Sequence, residues 1–230
     1  MEKRDLNPSL RPFMKSLLNV TLKILLVITV MSMIGIQMTS FIAILAAGGL
    51  AIGMALSGTL QNFAGGVIIL VLKPFKVGDY ITAAGHSGTV NEIQVFYTIL
   101  KTVDNKTIIL PNSSVSNNSL INFSVEPTRR VDLEFDIGYG DDIDKAREVL
   151  WAIIKSDNRV FEDPAPMIAV KELANSSVNI ALRVWLKAED YWPYYWEIHE
   201  KVKKAFDKNG ISIPFPQTDV HLYKSETGNA

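Results

Sequence analysis

The run FIAILAAGGLAIGMALSGTLQNFAGGVIILVL, residues 41–72, carries no charged side chain and is crowded with Ala and Gly where a plain membrane anchor would carry Leu and Phe. Followed upstream, the uncharged stretch extends over residues 24–72, which makes 49 positions without Asp, Glu, Lys, Arg or His. One helix of that length would reach about 73 Å, against a hydrocarbon core of about 30 Å. Two spans fit and one does not. The natural break is Gly35-Ile36-Gln37-Met38-Thr39-Ser40, where glycine and polar side chains interrupt the apolar run. The sequence therefore predicts a short N-terminal segment over residues 1–13, a transmembrane helix over 14–36 and a second over 37–73. A buried soluble hairpin is the competing reading, but helices of this length in soluble proteins show a polar face, and these do not.

Basic residues set the orientation. Lys3, Arg4, Arg11, Lys15 and Lys23 precede the hairpin, Lys73 and Lys76 follow it, and the connecting turn has none. By the positive-inside rule both ends face the cytoplasm. A cleaved signal peptide fits poorly, because the first apolar stretch lacks a small-residue cleavage site and a second stretch follows it. About 155 residues after Lys73 then form a cytoplasmic body, enough for two small domains.

Within the second span, small residues recur at helical spacing. Ala43, Ala47, Ala51 and Ala55 form one narrow face, and Gly49 and Gly53 form a Gly-x-x-x-Gly pair on another. Two small faces serve two neighbours, as in a closed head-to-tail ring, whereas a helix dimer needs only one. Ala46, Leu50, Met54, Ser57 and Gln61 follow the same periodicity, so Leu50 and Met54 lie one turn apart on a common edge. In a ring they would stack as apolar collars able to stop ions by dewetting. In a dimer both would face lipid. Gly58 and the pair Gly65-Gly66 lower the cost of a bend, beyond which Phe63, Val67, Ile68, Leu70 and Val71 make an interfacial, amphipathic half.

The rest of the chain reads as two folded units. VGDYITAAG, SGTVNEIQVFYTILKT and NKTIILPNSSV alternate and are punctuated by Gly85, Gly88, Asp104-Asn105 and Pro111, which predicts a β-domain over residues 74–128. From about residue 129 to 212 the predicted order is a strand at 131–137, a helix from Ile143, strands at 167–172 and 178–186, and a helix at 194–208. A last strand at 219–223 lies in the C-terminal segment, residues 213–230. This is the β-α-β-β-α-β order of a ferredoxin-like α+β domain. The helix faces expected to be apolar are Ile143, Ala146, Val149, Leu150 and Ile153 in the first, and Trp196, Val202 and Phe206 in the second.

Composition and motifs remove other functions. With 23 Lys+Arg against 24 Asp+Glu, the chain lacks the basic excess of a nucleic-acid binder, and without cysteine it has no disulfide, thiolate metal site or thiol nucleophile. Asp141, Asp142 and Asp144 precede an apolar helical run and fit N-capping better than a cation site. His86, His199 and His221 have no metal-ligand spacing, and no P-loop or Gly-x-Ser-x-Gly elbow is present. The Asn112-Ser113-Ser114 cluster after Pro111 reads as a β-turn. Tyr191, Trp192, Tyr194, Tyr195 and Trp196 at a helix start read first as packing, with a ligand shelf as the alternative. No cofactor or metal is implied, and an enzyme reading has no reacting group.

AAGGLAIGMALSGTLQNFAGGVIILVLKPFKVGDYI, TVDNKTIILPNSSVSNNSLINFS, RRVDLEFDIGYGDDIDKA and GISIPFPQTDVHLY, taken together, resemble the small-conductance mechanosensitive channels of bacteria, the MscS-type channels, over residues 35–223. The resemblance implies a membrane α-helical hairpin, a cytoplasmic β-domain of the small Sm-like barrel kind and an α+β domain, closed into a ring. It further implies a homoheptamer of the bacterial inner membrane, multi-pass, with a hollow vestibule in the cytoplasm. Its partners would be other copies of itself, membrane lipids, and the ions and small osmolytes released on hypo-osmotic shock. Leu50 and Met54 then correspond to the hydrophobic seal, Gly49 and Gly53 to helix-packing positions, Gly58 and Gly66 to kink sites and Asn62 to a polar position beside the kink. Departures from the family pattern are Met54 for Leu, Ser57 for Gln and Ala46 for Gly. The family also usually has three transmembrane helices per subunit where only two fit here, so the expectation is either a naturally short form or, the favoured reading, a chain from which an N-terminal helix has been removed. A membrane-anchored cytoplasmic scaffold without channel activity is the alternative function.

Overall fold

The computed structural model describes residues 10–223. Two long helices come first, α1 (Leu10–Met33) and α2 (Thr39–Leu72). Both are long and apolar enough to cross a membrane. The hairpin turn matches the predicted break, although α1 starts earlier and stops sooner than residues 14–36. It stops because Gly35 adopts φ +87°, a left-handed conformation that a helix does not contain and that glycine takes without strain. At 34 residues, α2 is about 51 Å long, so it outreaches the hydrocarbon core and must project from it.

The β-domain follows as β1 (Tyr80–Ala83), β2 (His86–Ile93), β3 (Tyr97–Lys101), β4 (Thr107–Pro111), the short helix α3 (Asn112–Ser116) and β5 (Leu120–Asn122). The strands form one antiparallel sheet in the order β4-β3-β2-β1-β5. Its core unites Ile81, Ala83, Val90, Leu100 and Leu110 with three residues from outside the sheet, Ile69 of α2, Phe75 of the linker and Val115 of α3. The Asn-Ser cluster expected to be a β-turn is instead α3. Its side chains find partners across the domain boundary, and those contacts stabilise a helical turn that local propensity alone disfavours.

The α+β domain comprises β6 (Thr128–Ile137), α4 (Ile143–Lys155), β7 (Met167–Leu173), β8 (Val178–Lys187) and α5 (Tyr191–Asn209). Its sheet is antiparallel, in the order β6-β8-β7. Alternate residues of β6, Val131, Leu133, Phe135 and Ile137, point into a core shared with Ala146, Leu150 and Ile154 of α4. From α5 the buried stripe is Tyr194, Ile198, Val202 and Phe206, one residue per turn. This corrects the sequence expectation: Trp196 lies off the stripe and is 66% exposed. The Asp142 side chain caps α4, accepting hydrogen bonds from the N–H groups of Asp144 at 2.8 Å and Lys145 at 3.1 Å.

Residues 219–223, expected as a final strand, are not in a ladder. A strand needs an edge to pair with, and after Ile211 the described residues join neither sheet of the chain. The start of this tail is held by Asp141, whose Oδ2 accepts from the Gly138 N–H, the Ser212 N–H and the Ser212 hydroxyl at 2.9, 3.0 and 2.6 Å. Burial tends to raise the Asp141 pKa, but the hydrogen bonds from Ser212 and Gly138 outweigh it and hold the group below the usual carboxylate range.

Candidate functional site: the second membrane helix and its seat on the β-domain

Of all the residues singled out in α2, none before Asn62 touches a folded neighbour closely enough to be covered. Leu50 is 66% exposed and Met54 64%. Ala43, Ala47, Ala51 and Ala55 are exposed as well, and a methyl group added at Gly49, Gly53 or Gly58 would meet nothing within 4 Å. The chain thus leaves the small faces and the Leu50–Met54 edge without partners of its own. Apolar helices so uncovered are soluble only in lipid or against other helices.

Past Asn62 the helix changes character. Asn62 Oδ1 accepts two hydrogen bonds from α3, from the Ser113 N–H at 3.0 Å and the Ser113 hydroxyl at 2.6 Å. Gly65, Gly66 and Ile69 are buried. A Cβ at Gly65 would stand 2.7 Å from Ser116 Oγ and 2.8 Å from the Asn112 carbonyl, and one at Gly66 would stand 2.5 Å from the Val95 carbonyl oxygen. Both glycines therefore let two backbones approach more closely than any side chain permits. Phe63 meets Phe96 with ring centroids 6.4 Å apart, extending the same contact.

Asn112 organises the β-domain side of this seat. It is fully buried, its amide donates to the carbonyls of Gln94 and Val95 at 2.9 and 3.1 Å, and its Oδ1 accepts from the Thr98 hydroxyl at 2.8 Å. Its own N–H donates to Phe96 O at 2.9 Å. Every polar atom that the side chain buries is paired, which locks α3 against β3 and presents Ser113 to Asn62. Below the seat, Lys73 closes α2 in a left-handed conformation with its N–H on Ile69 O. Asp79 Oδ2 then accepts from the Lys76 N–H and the Asn122 amide, both at 2.9 Å, fixing the linker to β5.

Asn62 and Gly66, grouped by the sequence with Gly58, belong to this seat, while Gly58 stands apart from any contact. The helix is continuous through all three positions. The seat's other half, Asn112 and Ser113, was expected only as a β-turn. The available signal was a glycine pair in a helix otherwise rich in large apolar residues, since paired glycines mark a close approach and so demand a partner backbone.

Two family models match the chain: "Mechanosensitive ion channel, beta-domain" over residues 58–125 and "Mechanosensitive ion channel MscS, C-terminal" over residues 131–213. An uncharacterized MscS family protein of Buchnera aphidicola from Schizaphis graminum is 41% identical over 96% of this chain and 78% of its own. The small-conductance mechanosensitive channel of Edwardsiella ictaluri is 44% identical over 80% of this chain and 64% of its own. Among solved structures, the crystal structure of Helicobacter pylori MscS in its closed state superposes with a TM-score of 0.89 at 32% identity, covering 96% of this chain and 88% of that one.

Proposed function

This chain belongs to the MscS family of mechanosensitive channels, and from that premise we propose how its own residues form the gate. It is a membrane protein that conducts ions in response to mechanical force. In our reading, seven copies close a ring in a bacterial inner membrane with the α+β domains in the cytoplasm. Residues 39–61 of α2 line the pore. The faces of Ala43, Ala47, Ala51 and Ala55 and of Gly49 and Gly53 pack against the two neighbouring copies, and Leu50 and Met54 project inward as two stacked collars. Apolar collars shed water and stop ions without a physical plug, and widening them restores the water column.

Membrane tension favours the state of larger in-plane area, so the equilibrium shifts by tension multiplied by the area difference, as a ligand shifts one by differential affinity. The second half of α2 is held to the β-domain through Asn62, Gly65 and Gly66, so the pore half moves relative to a fixed point. Gly58, with free space around it, lies between the two and serves as the flexing position. Ions and small osmolytes leave through the widened ring on hypo-osmotic shock.

The observation that carries this reading is the division of α2: no residue before Gly65 is buried, while Gly65, Gly66 and Ile69 are sealed into a folded domain. An anchor has no need of two small-residue faces upstream of such a seat. Self-assembly is supported also by the β-domain sheet, whose edge strands β4 and β5 have no further in-chain partner among the described residues and expose Ile109 and Ile121. Tracer-ion flux from liposomes tests the gate: Leu50→Ser or Met54→Ser should raise flux severalfold without tension. Background flux from both variants, in assembled and inserted protein, would remove these residues from the gate. Native mass spectrometry tests the stoichiometry, for which seven copies are expected and any other closed number contradicts the ring drawn here.

A further inference from the structure

Where the β-domain meets the α+β domain, a cleft with a volume of about 1100 Å3 opens between the two. Five aromatic residues stand in its walls, Tyr80 and Phe123 on the β-domain side and Phe161, Trp192 and Trp196 opposite. Trp192 and Trp196 stack nearly parallel, centroids 5.7 Å apart at 20°, yet they remain 53% and 66% exposed. A stacked pair of indoles left open to water beside a cavity is a shelf with nothing on it. Tyr194 of the same helix is buried in the core, whereas these two meet Tyr191 and Tyr195 edge-on and stay more than half exposed.

Arg129 supplies the polar end. Its guanidinium lies 3.7 Å from the Tyr191 ring centroid and 5.1 Å from that of Phe123, so its faces are taken by aromatic rings from both domains. Among the described residues it has no carboxylate partner and donates no hydrogen bond. The edge of a stacked guanidinium still presents a planar fork of N–H donors, which matches a carboxylate or sulfonate. Lys187, the other cation of the cleft, is offset by Glu189 at 3.8 Å. Glu126 lies on the exposed rim, where water screens its repulsion of an anion, a repulsion that doubles for a dianion.

We propose that this cleft binds a planar aromatic monoanion, its ring on the Trp192–Trp196 shelf and its acid group on Arg129. Such a ligand would touch both cytoplasmic domains at once and so tie them together. The inference rests on the cleft alone and stands whether or not the gate is at Leu50 and Met54.

Equilibrium dialysis of 1-naphthoate against the full chain in lipid nanodiscs, with empty nanodiscs as the blank, tests it. Saturable binding of one molecule per chain is expected. The uncharged isostere 1-naphthamide, and 1-naphthoate on the Arg129→Gln variant, should each bind about tenfold more weakly, the usual size of a lost charged hydrogen bond. Trp196→Ala, which removes an exposed side chain and leaves the core intact, should weaken the acid and the amide alike. It decides the matter if Arg129→Gln fails to assemble. No saturable binding above the blank, as when a neighbouring copy fills the cleft, would overturn the proposal. Equal binding of acid and amide, or binding unmoved by Trp196→Ala, would do the same.

Discussion

Asn62 and Asn112 differ in how much each has to lose. Asn112 is fully buried with every side-chain polar atom paired, so Asn112→Leu strands the Thr98 hydroxyl and two carbonyls in an apolar setting and should destabilise the β-domain by about 2–4 kcal/mol. Asn62→Ala removes two hydrogen bonds at a half-buried site and should cost about 1–2 kcal/mol, loosening α2 from α3 without unfolding either. Hydrogen exchange separates the two cases. Asn62→Ala should speed exchange locally at Ser113 and its neighbours, and Asn112→Leu throughout β3 and β4. Similar, domain-wide exchange in both would mean that Asn62 is part of the β-domain core and no separable link. Asn62 was singled out through the family resemblance, as a polar position beside a kink, and its bond to Ser113 was not foreseen. Asn112 was not legible in the sequence, since an Asn after Pro reads first as a turn and only the tertiary partners show it to be a buried tie.

Among the elements, α2 combines two kinds of glycine that sequence alone treats alike. Gly58 has open space, so Gly58→Ala should favour the straight helix by about 1 kcal/mol and, on our reading, stiffen the flexing position and raise the tension needed to open. Gly66→Ala puts a methyl group 2.5 Å from a backbone oxygen that cannot swing away, and should cost about 1–3 kcal/mol by forcing α2 off the β-domain. Thermal unfolding of the two variants in the same nanodisc should therefore move in opposite directions. A matching fall in both would show that Gly58 is also packed in the assembly. The long elements were legible because their hydrophobic period is strong: β6 alternates cleanly, and α4 begins at Ile143, where its run of apolar spacing and its Asp142 cap predict it. Residues 219–223 form no strand within the single chain for a physical reason. Strand propensity names a segment that can pair, but the partner edge is not supplied by the same chain.

Taken as a whole, the molecule is a membrane hairpin whose second helix is continuous with the core of the β-domain, since Ile69 packs with Ile81 and Leu100. The α+β domain has its own fastening, an ion cluster in which Asp157, its carboxylate only 7% exposed, meets Arg159 at 2.7 Å and Lys201 at 3.1 Å, with Glu197 on Arg159 at 2.6 Å. Hydrogen bonds from Arg159 and then Lys201 outweigh burial and hold the Asp157 carboxyl far below the usual range. A depressed carboxylate pKa gives stability that is complete above the unfolded value, near 3.9, and is lost as pH falls from there toward the folded value. Asp157→Asn should accordingly lower stability by about 2 kcal/mol, by the same amount at pH 8 and pH 6, with the gap to the native chain closing only below about pH 4. A gap that closes between pH 8 and 6 would assign the titration to another group. The central claim concerns force, and patch-clamp recording from liposomes that contain the assembled chain tests it most directly. Stepwise suction should produce openings whose probability rises with pressure and returns to zero on release; a membrane that stays silent up to rupture would contradict the account.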